Sequence, residues 1–207
     1  MVSVKRFLYS LIQFKKKYFQ KIILFYNYYC ANCTAIRNKR VLLIKHAPKC
    51  NQFTKITGSG KLEIGNNCVF GYKPGGHHRG GYIELQPRYN DARIIIGDNV
   101  LTNNNLFVCA ANFISIGSDT LIGENVTIMD HEAHGVLPNE RRKIGEIGKV
   151  QIGKNVWVGN NVTILKNTEI GNNTIVATGA VVSGKFPSDV IIGGIPAKII
   201  KQLDINE

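Results

Sequence analysis

Acidic residues are missing from the first 62 positions: Glu63 is the first Asp or Glu in a 207-residue chain that holds 14 of them. Half of the 26 Lys and Arg lie in that acid-free stretch, so the formal charge of +12 belongs to one end and the remainder is close to neutral. A nucleic-acid binder carries its basic side chains on the folded surface beside its reading elements. The neutral remainder excludes that class, and no nucleic acid is expected as a partner. Long apolar runs are also absent. The stretch from Ile22 to Tyr29 carries Asn27 and is far shorter than the ~20 residues a spanning helix needs. No small-residue cleavage site follows it, so a secretory signal is not expected. Five cysteines, at 30, 33, 50, 68 and 109, are an odd number with no disulfide framework in their spacing. Cys30 and Cys33 lack the second close pair of a zinc ribbon. A reducing, cytoplasmic compartment with buried or tolerated thiols is therefore expected.

What the first 55 residues do contain is a basic amphipathic pattern: Lys5-Arg6, Lys15-Lys16-Lys17 and Lys21 alternate with Phe7, Leu8, Leu11, Ile12, Phe14, Phe19, Ile22 and Ile23. Two readings stay open. Residues 1–45 form an anchor lying on an anionic membrane face, where each basic residue contributes about 1 kcal/mol, or the segment is a helical cap packed on the domain with its lysines in water.

Beyond it the chain is governed by a repeat. Ile116, Ile122 and Ile128, then Ile152, Val158, Ile164, Ile170, Val176 and Val182, recur at a constant step of six. Six is neither a helical nor an alternating period. It suits a coil of three short strands per turn, each presenting one aliphatic residue inward. Between the aliphatic residues stand Gly, Asn and Asp, as in Gly97-Asp98-Asn99-Val100 and Gly171-Asn172-Asn173-Thr174, residue types that tolerate a left-handed corner.

From Ile128 to Ile152 the step is 24, a multiple of six, and the intervening residues drop the hexad texture: Met129-Asp130-His131-Glu132-Ala133-His134-Gly135, then a polar run from Asn139 to Lys143. A loop over about 129–149 is extruded there. Loops held by a rigid scaffold are where catalytic groups concentrate, and two of the five histidines lie in this one. A second irregular stretch, Lys73-Pro74-Gly75-Gly76-His77-His78-Arg79-Gly80-Gly81-Tyr82, is a cationic insertion between coils; no specific contact is assigned to Arg79, Arg88 or Arg93.

The hexads resemble the left-handed parallel β-helix of the hexapeptide-repeat acyltransferases. The most specific portion is Val150-Gln151-Ile152-Gly153-Lys154-Asn155-Val156-Trp157-Val158-Gly159, then Ile175-Val176-Ala177-Thr178-Gly179-Ala180, and Gly194-Ile195-Pro196-Ala197-Lys198. That block is similar to the acetyl-CoA-binding end of the galactoside, maltose and polysaccharide O-acetyltransferases. The resemblance implies a mainly β fold: a left-handed β-helix over residues 56–201, preceded by a basic helical segment over 1–55 and followed by a short tail, 202–207. It further implies a homotrimer with active sites between subunits and direct acetyl transfer from acetyl-CoA to a carbohydrate hydroxyl of a cell-surface polysaccharide or its precursor. The enzyme would be cytoplasmic or peripheral at the inner membrane face.

An alcohol is a poor nucleophile until its proton is being removed, so the transfer needs a base, and imidazole suits neutral pH. By the resemblance the base is a loop histidine: His134 first, His131 second, with Asp130 on the acceptor side. Asn103, in Asn103-Asn104-Asn105-Leu106, inherits an acceptor-binding asparagine role. Trp157, Gly159, Ala177, Gly179 and Lys198 are implicated in holding the donor, and Lys185 stands one place away from the family's usual lysine. No metal is required. Zinc carbonic anhydrases on the same coil join three histidines, whereas the two loop histidines here are three apart, and that family's neighbouring pair is five apart. N-acetylation of an amino sugar, and a non-enzymatic scaffold, remain the alternatives.

Overall fold

The computed structural model describes residues 42–44, 48–78 and 80–204. The basic segment expected at the N-terminus lies largely outside the described residues. From Leu42–Ile44 onward the chain winds through three flat faces in turn. Among the described residues the first face has seven strands, the second eight and the third six, and successive strands on a face are parallel neighbours from successive coils. The exception is the last pair of the second face, where Val190–Gly194 turns back antiparallel against Ala197–Gln202. Three parallel sheets of this kind are consistent with a left-handed β-helix.

The aliphatic ladder maps onto the faces one rung at a time. Ile116, Ile152 and Ile170 are register partners on the first face, Ile122, Val158 and Val176 on the second, and Ile128, Ile164 and Val182 on the third. All nine are at most 3% exposed, and each such side chain contributes roughly 1.5–3 kcal/mol by leaving water. Coiling begins earlier than residue 56. Strands Leu42–Ile44, Lys49–Cys50 and Thr54–Ile56 pair in parallel with Lys61–Ile64, Val69–Phe70 and Ile83–Pro87. They lack the aliphatic-glycine dipeptides carried by later coils, such as Ile64-Gly65, Ile96-Gly97 and Ile116-Gly117.

Corners are made by Asn and Asp. Asn99, Asp119, Asn155, Asn173 and Asp189 at one corner, and Asn105, Asn125 and Asn161 at the next, all have φ between +53° and +63°. Their side chains bond from coil to coil: Asn105 donates to Asn125 at 3.0 Å, and Asn125 to Asn161 at 3.2 Å. Glycine is required where coils touch. A Cβ on Gly117 would stand 2.3 Å from the Gly153 carbonyl oxygen, well inside van der Waals contact.

Two excursions leave this prism. Between Met129 and Lys149 the chain forms an arm whose two limbs bond each other, Glu132 N–H to the Glu146 carbonyl at 2.9 Å and Gly135 N–H to the Lys143 carbonyl at 2.9 Å. A short 3-10 helix, Pro138–Glu140, makes its tip. Between Phe70 and Ile83 the glycine-rich insertion folds over the corner at Asn103 to Asn105.

Candidate active site

The arm is rooted by one carboxylate. Asp130 is wholly buried, and its two oxygens accept backbone N–H groups from Ala111, Asn112 and Phe113 at 2.7, 2.8 and 2.7 Å. A fourth donor is the Nδ1–H of His131, at 2.9 Å. The chain turns sharply at Ala111 and Asn112 to pass from the third face to the first, and the carboxylate takes the N–H groups left unpaired there. Asp130 thus faces its own protein on every side.

The two loop histidines have opposite surroundings. The His131 side chain is 0% exposed. Its Nε2 lies 3.1 Å from Nη1 of Arg88. Guanidinium has only donors, so Nε2 accepts and the ring proton sits on Nδ1, where Asp130 takes it. Both ring nitrogens are occupied. His134, three residues on, is exposed, and its Nδ1 lies 2.7 Å from the Arg141 carbonyl oxygen across the arm. A carbonyl can only accept, so Nδ1 carries the proton and Nε2 presents its lone pair outward. This ring can receive a proton without breaking any bond it makes within the chain.

The limbs of the arm are tied to the coil by Lys166. Its ammonium pairs with Glu146 and stands 3.4 Å from Glu132, while Asn167 donates to Glu146 at 2.9 Å. These hydrogen bonds hold the Glu146 carboxyl below its ordinary range, and the same carboxylate raises Lys166.

Asn103 follows the second-face strand Leu101–Thr102 and is half-buried; its Oδ1 accepts from Asn104 N–H at 2.8 Å. The glycine-rich insertion lies against it, because a Cβ on Gly75 would be 2.5 Å from that oxygen. What fastens the insertion is Asn104, fully buried, which donates to the carbonyls of Tyr72 and Gly76 at 3.0 and 2.7 Å and accepts from Tyr72 N–H at 3.0 Å. His77 pairs with Glu124 in the same corner.

Trp157 is 54% exposed on the outer side of the second face, in register with Leu121 and Ile175. Gly159 and Ala177 follow the paired rungs Val158 and Val176, so they are neighbours on adjacent coils along the edge leading to the third face. Gly179 continues that edge at φ +77°, with nothing within 4 Å of the position of a Cβ. Lys198 is exposed on the terminal hairpin opposite Gly193. Gly159, Ala177, Gly179 and Lys198, expected from the resemblance to hold the donor, therefore lie with Trp157 toward the C-terminal coils. No hydrogen bond among the described residues joins them, or Asn103, to either loop histidine. A cleft of about 470 Å³ opens on the first face beneath the arm, lined by Asn112, Gly148, Lys149, Gln151, Asn167 and Glu169. Of the individual site candidates named from the sequence only Lys185 lines it.

Sequence reasoning named Arg88 without assigning it a contact, gave Asn104 no role within its run, and passed over Glu124 and Arg141. Asn104 had a signal, the run of three asparagines. Arg141 acts through its backbone, which no side-chain motif reveals.

The bacterial transferase hexapeptide family, defined by six repeats, matches residues 149–184. The chain is 39% identical over 120 residues to "Putative lipopolysaccharide biosynthesis O-acetyl transferase WbbJ" of Escherichia coli strain K12, covering 53% of this chain and 60% of that one. It is 35% identical over 137 residues to a "Putative acetyltransferase" of Dictyostelium discoideum, covering 61% of this chain and 68% of that one. A galactoside acetyltransferase solved in complex with coenzyme A superposes with a TM-score of 0.51 at 20% identity, over 92% of this chain and 82% of that one. The last likeness is one of fold. The chain spans 60% of the length of the Escherichia coli relative.

Proposed function

This chain belongs to the hexapeptide-repeat acetyltransferase family, and from that premise we propose that it moves an acetyl group from acetyl-CoA to a carbohydrate hydroxyl, with His134 as general base. The observation that carries the assignment is the contrast between the histidines. His134 has its Nδ1–H fixed on the Arg141 carbonyl and its Nε2 open, whereas His131 has both nitrogens engaged inside the protein.

In this reading His134 Nε2 takes the acceptor hydroxyl proton as the oxygen forms its bond to the thioester carbonyl carbon. The carbon–sulfur bond then breaks, and the imidazolium returns the proton to the departing thiolate, so His134 ends as it began. The carbonyl of Arg141 keeps the tautomer constant throughout. Asn103 holds the acceptor, and the insertion pinned by Asn104 walls that side. Trp157, Gly159, Ala177 and Gly179 carry the donor's extended arm along an edge free of bulky side chains, and Lys198 meets its phosphates.

Among the described residues no hydrogen bond joins Trp157, Gly159, Ala177, Gly179 or Lys198 to the arm, and the site proposed here is shared between subunits. The row Leu101, Leu121 and Trp157, each 43–54% exposed and aligned on the outer second face, is the surface that a homotrimer would bury. A carbohydrate acceptor, in the assembly of a surface polysaccharide, is supported by the name of the Escherichia coli relative. Residues 1–45 then serve as a peripheral contact with an anionic inner membrane face, and the enzyme works in the cytoplasm.

The test is acetyl-CoA turnover with a panel of neutral, acidic and amino sugars. Wild type should acetylate a hydroxyl, and His134→Ala should lose about 10²- to 10⁴-fold in kcat, the usual contribution of a positioned base. Undiminished turnover in His134→Ala overturns the assignment of the base. Transfer only to amines replaces the O-acetyl reading with the N-acetyl one.

A further inference from the structure

On the outer side of the third face, away from the aliphatic core, a line of polar side chains joins four coils. Thr57 Oγ1 donates to Glu84 Oε1 at 2.6 Å, and Gln86 Nε2 donates to Thr57 Oγ1 at 3.0 Å. Gln86 Oε1 in turn accepts from Arg88 Nε at 3.0 Å and from the Cys109 thiol at 3.0 Å. Arg88 Nη1 ends the line on His131 Nε2 at 3.1 Å, and His131 Nδ1 donates to Asp130. Glu84, Cys109, Asp130 and His131 are all buried. The line therefore starts on an early coil and finishes at the root of the arm that carries His134.

We propose that Arg88 is a positioning residue, which fixes the arm by clamping His131 from the side opposite Asp130. The guanidinium fork is what the place requires. Nε and Nη1 reach two acceptors in different directions at once, whereas a lysine ammonium would reach one. Without Arg88 the buried Nε2 of His131 loses its donor, an unsatisfied polar group that drives the ring to rotate or the root to open. The consequence is transmitted along the arm by its own ladder. Gly148 N–H donates to the Asp130 carbonyl at 2.7 Å, Gly145 N–H to the Glu132 carbonyl at 3.1 Å, and Gly135 N–H to the Lys143 carbonyl at 2.9 Å. His134 and Arg141 sit on opposite limbs of that ladder, so their hydrogen bond depends on the limbs staying in register.

The kinetic part of this inference rests on His134 being the base; the mechanical part does not. The experiment uses the full chain carrying Arg88→Met, Arg88→Lys and, as a control, Arg93→Met, which removes only the 2.7 Å surface bond to Glu63. Amide hydrogen exchange at Glu132, Gly135, Gly145 and Gly148 should quicken at least tenfold in both Arg88 variants, with Trp157, Gly159 and Ala177 unchanged and Arg93→Met like wild type. In turnover, kcat should fall about 10- to 100-fold, the scale set by small misplacements of a catalytic group, while KM for acetyl-CoA stays within about twofold. Added guanidinium should restore part of the activity of Arg88→Met and none to His134→Ala. Unchanged exchange in the arm overturns the proposal, as does equal quickening throughout the coil, since that would make Arg88 a general stabiliser. Absence of turnover in wild type sinks the function proposed above, yet leaves the exchange result to decide the role of Arg88.

Discussion

Asn125 offers the sharpest measurement of what holds the coil together. It turns the corner from the second to the third face at φ +55°, accepts from Asn105 at 3.0 Å and donates to Asn161 at 3.2 Å. Replacement by alanine removes two exposed side-chain hydrogen bonds, worth about 0.5 kcal/mol each at the low end of the usual range. It also places a Cβ without a compensating local bond in left-handed backbone, at roughly 1–2 kcal/mol. The sum is about 2–3 kcal/mol. Asn125→Gly loses the same bonds and escapes the backbone term, although it adds some unfolded-state entropy, so its cost is about 1–2 kcal/mol. At ~2–4 °C per kcal/mol for a chain of this size, alanine should lower Tm by about 4–12 °C, and glycine should retain a clear part of that loss. Thermal unfolding followed by circular dichroism, with both variants at one protein concentration, supplies the comparison. Equal Tm values for the two variants would refute the assignment of strain to the corner, and a wild-type Tm in both would refute the ladder as well.

Two further consequences concern titration. Hydrogen bonds from Lys166 and Asn167 hold Glu146 below its usual value of 4.5, so its contribution is present above that value and disappears as pH falls through the lowered one. Wild type should therefore melt above Glu146→Gln at pH 7, and the gap should close in acid; a gap that persists at pH 2 contradicts the pairing. Cys109 is pushed up to about 11, chiefly by burial, with Asp130 and Glu84 adding to the rise and Arg88 opposing it. A raised thiol favours the folded state below its ordinary value of 9.0 and loses that contribution as pH climbs toward 11. In native protein at pH 8 iodoacetamide should leave Cys109 unmodified by peptide mass analysis, and denaturant should expose it; equally fast native labelling contradicts its burial.

How far the prism was legible depends on which residues face inward. The step of six from Ile116 to Val182 is visible because each inward rung is aliphatic and each corner is Gly, Asn or Asp. Upstream the same geometry is built from Leu62, Phe70, Leu85 and Thr102, a mixture of sizes and polarity that hides the period. The coil therefore begins before the point at which the sequence announces it. The break between Ile128 and Ile152 was equally visible, since a jump of four hexads must leave the prism and return in phase.

The site was legible as composition rather than as geometry. The two histidines three apart on an extruded loop were ordered, His134 before His131, only through the family resemblance; what distinguishes their surroundings lies in partners that no local pattern shows. His131 answers directly to Arg88, 43 positions earlier, whose own partners lie on other coils. His134 answers to a backbone carbonyl seven positions later, brought opposite by the arm's own pairing. Asp130 and His131 read as site residues through the resemblance of the Asp-His pair to the loop of related acetyltransferases. Here the carboxylate has three backbone N–H groups to satisfy at a corner, and the imidazole is its fourth ligand. The proposed mechanism rests on that difference: it gives the saturated couple a holding role and the proton transfer to the histidine fastened at one nitrogen and open at the other.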